Sequence, residues 1–493
     1  MMQVVVIGSG LGGLETAYIL AKHGCKVCVL EKDNVFGGAL QSFRRAGIDF
    51  DTGFHYLGGL DPGQSLHNRF DYLNLLHLPW HRLDRDCFDK IIINGKSYVH
   101  ANGHEQFALS LAESFPSEKE SLLKFVGLVR QASERIYHGA DLFHSSNPDQ
   151  ADIYSDTFYT QSAYDVLRGL FKDSLLIDVI GGSGSKIDLT NRELPFFVFA
   201  EIYNSFIESA WRLDGPGSLI ADSLVADIRK MGGQVICGQK VERLEVKDGK
   251  VTDVVTSDGN CYRADVVVSD IAPSLTLNLV KDTAAIRGIY RRRIENLELS
   301  LGMFTANLKL VPGKLKYQNS NLFIFNNSSP WTAGAAVNGA SVADRVMVSF
   351  RYSSGSEFCD NVDLLAPMSW DVVRQWADTK KGHRGQDYVE FKQRKAKELI
   401  SLADDYMETV DHSRFSECIE LVSCSTPITW TGYTQTPDGS AFGIVKKCND
   451  LARTMLSVNT PIQNLFYTGQ NVNLHGLMGV TMTAWQTCQR VLR

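Results

Sequence analysis

The sequence predicts an α/β fold organised on a parallel sheet whose strands come from both ends and the middle of the chain, with an α+β remainder. Three observations carry this. Residues 3–31 run strand, glycine turn, helix, strand; residues 211–285 return to the same punctuation; and residues 464–491 repeat strand, turn and helix. Each segment alone is common, but their recurrence across long intervening stretches implies one discontinuous domain.

The first segment is the most informative. Gln3-Val-Val-Val-Ile7 is a short β-branched run of the kind expected for a strand buried on both faces. Gly8-Ser-Gly10-Leu11-Gly12-Gly13 then opens an apolar-periodic stretch, Leu14, Ala17, Tyr18 and Ala21, which reads as a helix closed by Gly24. Gly8 permits the tight turn, Gly10 lets a pyrophosphate approach the backbone amides, and Gly13 lets the helix pack closely on the strand. The helix N-terminus supplies N–H donors to an anion. A second strand, Lys26–Leu30, ends at Glu31, 18 residues past Gly13, close to the spacing of about 20 at which an acid accepts the ribose hydroxyls. Lys32 follows it at the same edge. What comes next selects the dinucleotide: Val35-Phe36-Gly37-Gly38 leaves no room for another crossover helix and sets a second glycine pair near the phosphates. That arrangement favours FAD, whose ribityl chain runs on past the first turn, over NAD.

Between Asp214 and Asp270 the sequence predicts a helix over Leu219–Met231, a strand over Gln234–Cys237, a hairpin of Lys240–Val246 with Val251–Ser257 turning at Asp248-Gly249, and a strand over Ala264–Ser269. Val241 lies where a strand would pass the adenine and offer it backbone hydrogen bonds, or is plain strand core. At the C-terminal end Asn464–Thr468 reads as a strand, Gly469-Gln470 as a turn, and Val480–Val491 as a helix after breaks at Gly476 and Gly479. A helix whose first turn faces a flavin ring would stabilise negative charge on it. The domains expected are therefore residues 1–60, 211–285 and 426–493 for a Rossmann-like FAD-binding domain, and 61–210 with 286–425 for a mixed substrate-binding domain. The latter holds aromatic clusters, from Pro195 through Phe199 and Phe206 to Trp211 and again at Leu322–Phe325. They read as core or as an apolar slot for a lipid-like substrate.

Composition narrows the partners. The chain has 493 residues with 50 Lys+Arg against 56 Asp+Glu, a net charge of −6, so the electrostatic footprint of a nucleic-acid-binding protein is absent. The 10 Cys are dispersed, and Cys25 and Cys28 lie in or beside one apolar run without a second cluster to complete a zinc site, so free thiols and no metal are expected. No charged-then-apolar leader precedes the first strand and no run approaches a membrane span. The expectation is a soluble cytoplasmic protein that at most rests on a membrane surface, where Arg287 and Arg291-Arg292-Arg293 either form a solvated face or touch anionic lipid. The oligomeric state is left open.

The motifs Val6–Gly13, Phe36–Phe43, Phe50-Asp-Thr-Gly-Phe-His-Tyr56, Ser425–Ile428 with Thr436–Gly443, and Phe466-Tyr-Thr-Gly-Gln-Asn-Val-Asn-Leu-His-Gly476 together resemble the FAD-dependent phytoene desaturases, carotenoid isomerases and retinol saturases, within the flavin amine oxidase superfamily. The last motif is most similar to the retinol saturase and carotenoid isomerase branch. The resemblance implies that Glu31 holds the adenosine ribose, that Gly37, Gly38 and Ala39 pass the pyrophosphate and ribityl chain, and that Gly469 and Gln470 close over the diphosphate, with Met478 and Val480 in the terminal cofactor segment. Ala39 and Gln470 stand where many superfamily members carry Arg and an acid, which implies a cofactor held by fewer charges, and no residue in these motifs argues for a covalent flavin link.

The chemistry implied is hydride transfer at a polyene double bond, with NAD(P)H or a quinone as electron partner and a proton donor for the second carbon. His55 and Tyr56 are the candidate donors, because they follow the Asp51-Thr52-Gly53 turn and imidazole titrates near neutrality; the other reading of His55 is a histidine hydrogen-bonded to backbone beside the cofactor. His475 reads as a positioning group. Two other classes remain beside this one: a flavin amine oxidase and a non-catalytic flavin-binding protein.

Overall fold

The computed structural model describes residues 1–136, 160–281, 284–333, 343–380 and 382–493. Residues 137–159 of the expected substrate-binding stretch lie outside the described residues. In chain order, the elements that build the site are β1 (Gln3–Ile7), α1 (Leu11–Lys22), β2 (Lys26–Leu30), β3 (Asp89–Ile93), α2 (Phe196–Glu208), α3 (Ser218–Lys230), β4 (Gln234–Ile236), β5 (Val266–Ser269), β6 (Asn361–Met368), β7 (Leu465–Tyr467) and α4 (Gly476–Leu492).

Five strands drawn from three distant stretches form one parallel sheet in the order β4-β2-β1-β5-β7. Strand period two explains how β1 serves both faces. Val4 and Val6 pack with Leu14, Ile220 and Trp485 under α1, α3 and α4, whereas Val5 and Ile7 pack with Val241, Leu244 and Val254 of an antiparallel meander. The meander joins Val241–Lys247, Lys250–Thr256 and Cys261–Arg263. Its first turn holds Asp248 and Gly249 at φ of 52° and 74°, the left-handed pair of a two-residue hairpin.

Element boundaries depart from the sequence reading chiefly at the C-terminal end. α4 begins at Gly476, not Val480, and Gly479 lies inside it. Gly479 is no breaker: a Cβ there would sit 2.4 Å from Leu474 Cβ and 2.5 Å from its backbone, so the glycine lets the preceding loop fold onto the first turn. α3 begins and ends one residue earlier than its periodicity indicates.

The second unit is a seven-stranded sheet ordered Ile419–Ser425, Gly302–Leu310, β6, Arg345–Phe350, Asn321–Phe325, β3, Lys96–His100, antiparallel except where Asn321–Phe325 runs parallel to β3. Alternation again sorts its faces. Ile92 and Ile324 pack under the helix Gln386–Ala403; Ile91, Phe323 and Phe325 pack against α2 and its neighbours. A small sheet of Leu57–Gly58, Ala210–Leu213 and Trp80–Arg82 stitches the units together. The basic cluster is largely consumed internally. Arg291 donates to the carbonyls of Leu277 and Val280, and Arg293 to those of Ala452 and Arg453. All ten cysteines are free thiols. Among the described residues no helix is long and apolar enough to cross a membrane.

The expected aromatic cluster becomes the buried face of α2. Phe199 is fully buried, stacks on Tyr203 at 4.0 Å between centroids and touches Phe125, Phe196 and Trp331. Phe199→Ala leaves a void bounded by rigid rings and should cost about 3–5 kcal/mol. The check is the urea midpoint, which should fall clearly, whereas an unchanged midpoint would show that this cluster is not a stability centre.

Candidate active site at the junction of the two sheets

A cavity of about 380 Å³ opens at the C-terminal ends of β1, β2 and β5 and runs to the seven-stranded sheet. Its first half is bare backbone. Gly8 turns the chain at φ +93°, and a Cβ on Gly13 would fall 2.3 Å from the Gly8 carbonyl oxygen, so only glycine lets α1 start against the strand end. A Cβ on Gly12 would lie 2.8 Å from Gly469 N and Cα, and one on Gly38 3.0 Å from Gly10 Cα. Three glycine turns separated by up to four hundred and more residues of chain thus meet backbone to backbone.

Gly8, Gly10, Leu11 and Gly12 line the cavity; Gly13 and Gly37 stand behind it. Gly38, Ala39, Val241, Gly469 and Gln470 line it too, and Met478 and Val480 contribute from the first turns of α4. Glu31 is buried at the end of β2, where Oε2 accepts from Ser9 N at 3.1 Å and Ser9 Oγ at 2.5 Å, and Oε1 from Asp33 N at 3.0 Å. Lys32 pairs with Asp33 and donates to the Tyr433 carbonyl at 2.9 Å. A helix N-terminus ringed by glycines, with no side-chain cap on Gly10 and a carboxylate one strand away, is what a dinucleotide diphosphate and its ribose require.

Asp270, which the motif reading passes over as a segment boundary, is the hub of this cradle. It follows β5 directly beside the β1 turn. A Cβ on Gly10, Gly12 or Gly469 would come within 2.4, 2.7 and 2.5 Å of its carboxyl oxygens. The Gly13 and Gly10 amides hydrogen-bond to it, yet burial, helped by the Glu31 charge, pushes the carboxyl up to about 8. Glu15 on α1 accepts from Thr481 Oγ1 at 2.9 Å, and burial raises it likewise to about 8. A strand-terminal acid beside two glycines of the turn is the available sequence signal, but nothing local reveals which glycines it will meet.

The other half of the cavity is apolar. Ile202 and Phe206 of α2, Met347 and Leu365 of the large sheet, and Trp430 and Phe442 wall it. His55 Nδ1 lies 3.6 Å from Asp363 Oδ2 on β6, and Asp363 Oδ1 also accepts from Asn307 Nδ2 at 2.6 Å. His55 Nε2 is buried with no hydrogen-bond partner in the cavity wall. Tyr56, the second candidate donor, is engaged elsewhere: its hydroxyl donates to Asp89 Oδ2 at 3.0 Å, and burial plus the Asp89 charge hold the phenol well above its usual 10. His475 packs on Phe442, sits 3.1 Å from the Lys186 carbonyl oxygen, and is pushed down to about 4 by burial, so it is a neutral donor that ties α4 to the chamber.

The raised carboxyls give a signed pH dependence. Below about 8 the folded protein holds protons on Asp270 and Glu15 that the unfolded chain, with ordinary carboxyls, has released. Stability should therefore decline as pH rises from the ordinary carboxyl range toward 8 and level off beyond it. Asp270→Asn should flatten this slope in thermal melts across pH; an unaltered slope would remove Asp270 as its source.

The NAD(P)-binding Rossmann-like domain family matches residues 6–73. An all-trans-retinol 13,14-reductase from Macaca fascicularis is 26% identical over 529 aligned residues, spanning 100% of this chain and 86% of that protein. Prolycopene isomerase 2 from an Oncidium hybrid cultivar is 26% identical over 54% of this chain and 47% of its own length. Among solved structures, an oxidoreductase from Methanosarcina mazei shares the fold with a TM-score of 0.63 at 17% identity, covering 98% of this chain and 99% of that one. The cradle and these relatives support a flavin cofactor. The resemblance read in the motifs is thus found again as similarity to a retinol reductase along the whole chain and to a prolycopene isomerase over about half of it.

Proposed function

We propose that this protein is an FAD-dependent enzyme, an oxidoreductase or isomerase, acting on carbon–carbon double bonds of a hydrophobic polyene or isoprenoid. The observation that carries this is the single cavity that joins a glycine-lined cradle to an apolar chamber containing one unpartnered imidazole nitrogen. The names of the relatives, reductase of retinol and isomerase of prolycopene, describe work on conjugated chains and support the same chemistry. A flavin amine oxidase would need a chamber that admits a polar amine, and the walls of Phe206, Met347 and Leu365 argue against one.

FAD, when bound, supplies reversible hydride transfer, with NAD(P)H or a quinone as the electron partner. The chain's own groups supply the rest. Gly8, Gly10, Leu11 and Gly12 present the start of α1 to the diphosphate, Glu31 takes the ribose hydroxyls, Gly38, Ala39, Gly469 and Gln470 flank the phosphates and ribityl chain, and Val241 lies beside the adenine. The N-terminal turn of α4, with Met478 and Val480, sets its dipole toward charge arising on the ring. The apolar walls exclude water. Asp363 orients His55 through Nδ1, leaving Nε2 to deliver or remove a proton at the substrate carbon. Tyr56 keeps its proton and serves Asp89 instead. The partner is a hydrophobic small molecule, with no nucleic acid. A bilayer-borne substrate places this cytoplasmic protein at a membrane surface transiently.

Anaerobic incubation of the reduced and oxidised protein with candidate polyenes and amines, followed by product mass analysis, tests the class. A gain or loss of two hydrogens, or an unchanged mass with altered geometry, in a polyene supports it; turnover of amines alone contradicts it. His55→Ala should retain bound FAD while turnover falls about 10²–10⁴-fold, the usual scale for a lost acid–base group. Full turnover in that variant would retire the assignment.

A further inference from the structure

In the wall of the chamber lies a buried ion pair that the proposed chemistry leaves unused. Lys186 Nζ donates to Asp89 Oδ2 at 2.7 Å, with the lysine side chain 6% exposed and the aspartate 0%. Asp89 is well satisfied. Tyr56 donates to the same oxygen, and Asn321 Nδ2, itself held by Arg212, donates to Oδ1 at 2.9 Å. Lys186 is not. Its ammonium carries three N–H donors, and among the described residues Asp89 is the one acceptor it reaches. The remaining donors face rings: Phe206 at 4.0 Å, Tyr56 and Phe88 at 5.2 Å, Tyr203 at 5.7 Å and Phe323 at 5.9 Å. Phe206, Tyr56 and Lys186 itself line the cavity. The backbone at Lys186 is fixed too, through the hydrogen bond from His475.

Ring faces offset part of the cost of burying a cation but supply no oxygen acceptor. Burying an ion pair in an apolar wall is seldom more stabilising than replacing it with apolar side chains, so stability gives weak reason for this one. A ligand atom that accepts the spare N–H donors gives a stronger reason. Resting on the reading that the chamber takes an apolar chain, we propose that Lys186 anchors the oxygen-bearing terminus, hydroxyl or carboxylate, of that otherwise apolar ligand. Asp89 tethers the ammonium from behind, Phe206 and Tyr56 confine it at the sides, and the open direction is the chamber. The anchor fixes how far the chain enters, and hence which double bond lies opposite the flavin ring and His55 Nε2.

Binding alone tests this, without turnover. The full-length protein is titrated with three fluorescent conjugated tetraenes of one length: parinaric acid, the corresponding primary alcohol, and the hydrocarbon without the oxygen. A hydrogen bond to a charged group leads to at least about tenfold tighter binding of the acid and alcohol than of the hydrocarbon. The variant Lys186→Met with Asp89→Asn removes both charges together, so no lone ion is left buried, and its thermal melt reports that it folds. It should keep the hydrocarbon affinity and bring all three probes within about twofold. No oxygen preference in the wild-type protein, or a preference that survives in the folded double variant, overturns the anchor while leaving the polyene chamber standing. Failure of all three probes to bind the wild-type protein overturns both. The wild-type comparison decides the matter by itself if the variant does not fold.

Discussion

Everything in this molecule depends on the close approach of three glycine turns, two of which close on the Asp270 carboxyl. The turns come from the beginning, the near-beginning and the end of the chain, and each is bare of a side chain because Asp270 or another backbone already occupies the space a Cβ would need. The parallel sheet brings them there: β1, β5 and β7 are neighbours, so their C-terminal ends open at one edge. In open α/β sheets that edge is where ligands bind. The constraint has an electrostatic side as well. A charged Asp270 beside Glu31 would set two like charges in the cradle, and burial pushes the Asp270 carboxyl up to about 8, which relieves that repulsion.

The second unit contributes what the cradle lacks. β6 supplies Asp363 behind His55, β3 supplies Asp89 behind Lys186, and α2 supplies the aromatic wall between them. His55 and Lys186 are therefore each backed by a carboxylate from the same seven-stranded sheet, in a chamber walled largely by apolar side chains. Such pairing lets polar chemistry operate where an isolated charge would be too costly. His475 links the halves, since it caps α4 and hydrogen-bonds the Lys186 carbonyl.

The legible parts of the sequence were those whose physics is local. β1 and β2 match their β-branched runs residue for residue, the Asp248-Gly249 hairpin follows from left-handed backbone at two adjacent positions, and the glycine turn announces itself by spacing. The candidate cofactor residues lie on or behind one cavity, and His55 faces it. Illegible were features made by contacts between distant residues. Nothing near Asp270 encodes its meeting with Gly12 and Gly469. Nothing near Lys186 encodes Asp89, which reaches it through a strand almost a hundred residues earlier. Tyr56 and His55 are adjacent and both line the cavity, and what separates them is a distant partner, since the Tyr56 hydroxyl is engaged by Asp89. Gly479 was misread because a glycine that permits close packing and one that ends a helix look the same in sequence.

The central claim is that distant segments of one chain form a single cradle for a riboflavin-derived dinucleotide. Its most direct test is the visible absorption spectrum of the natively purified protein, repeated after incubation with FAD and removal of the excess. The expected result is a flavin spectrum at one equivalent per chain, present at the outset or acquired on incubation. A folded protein that is colourless and remains so after incubation would contradict it.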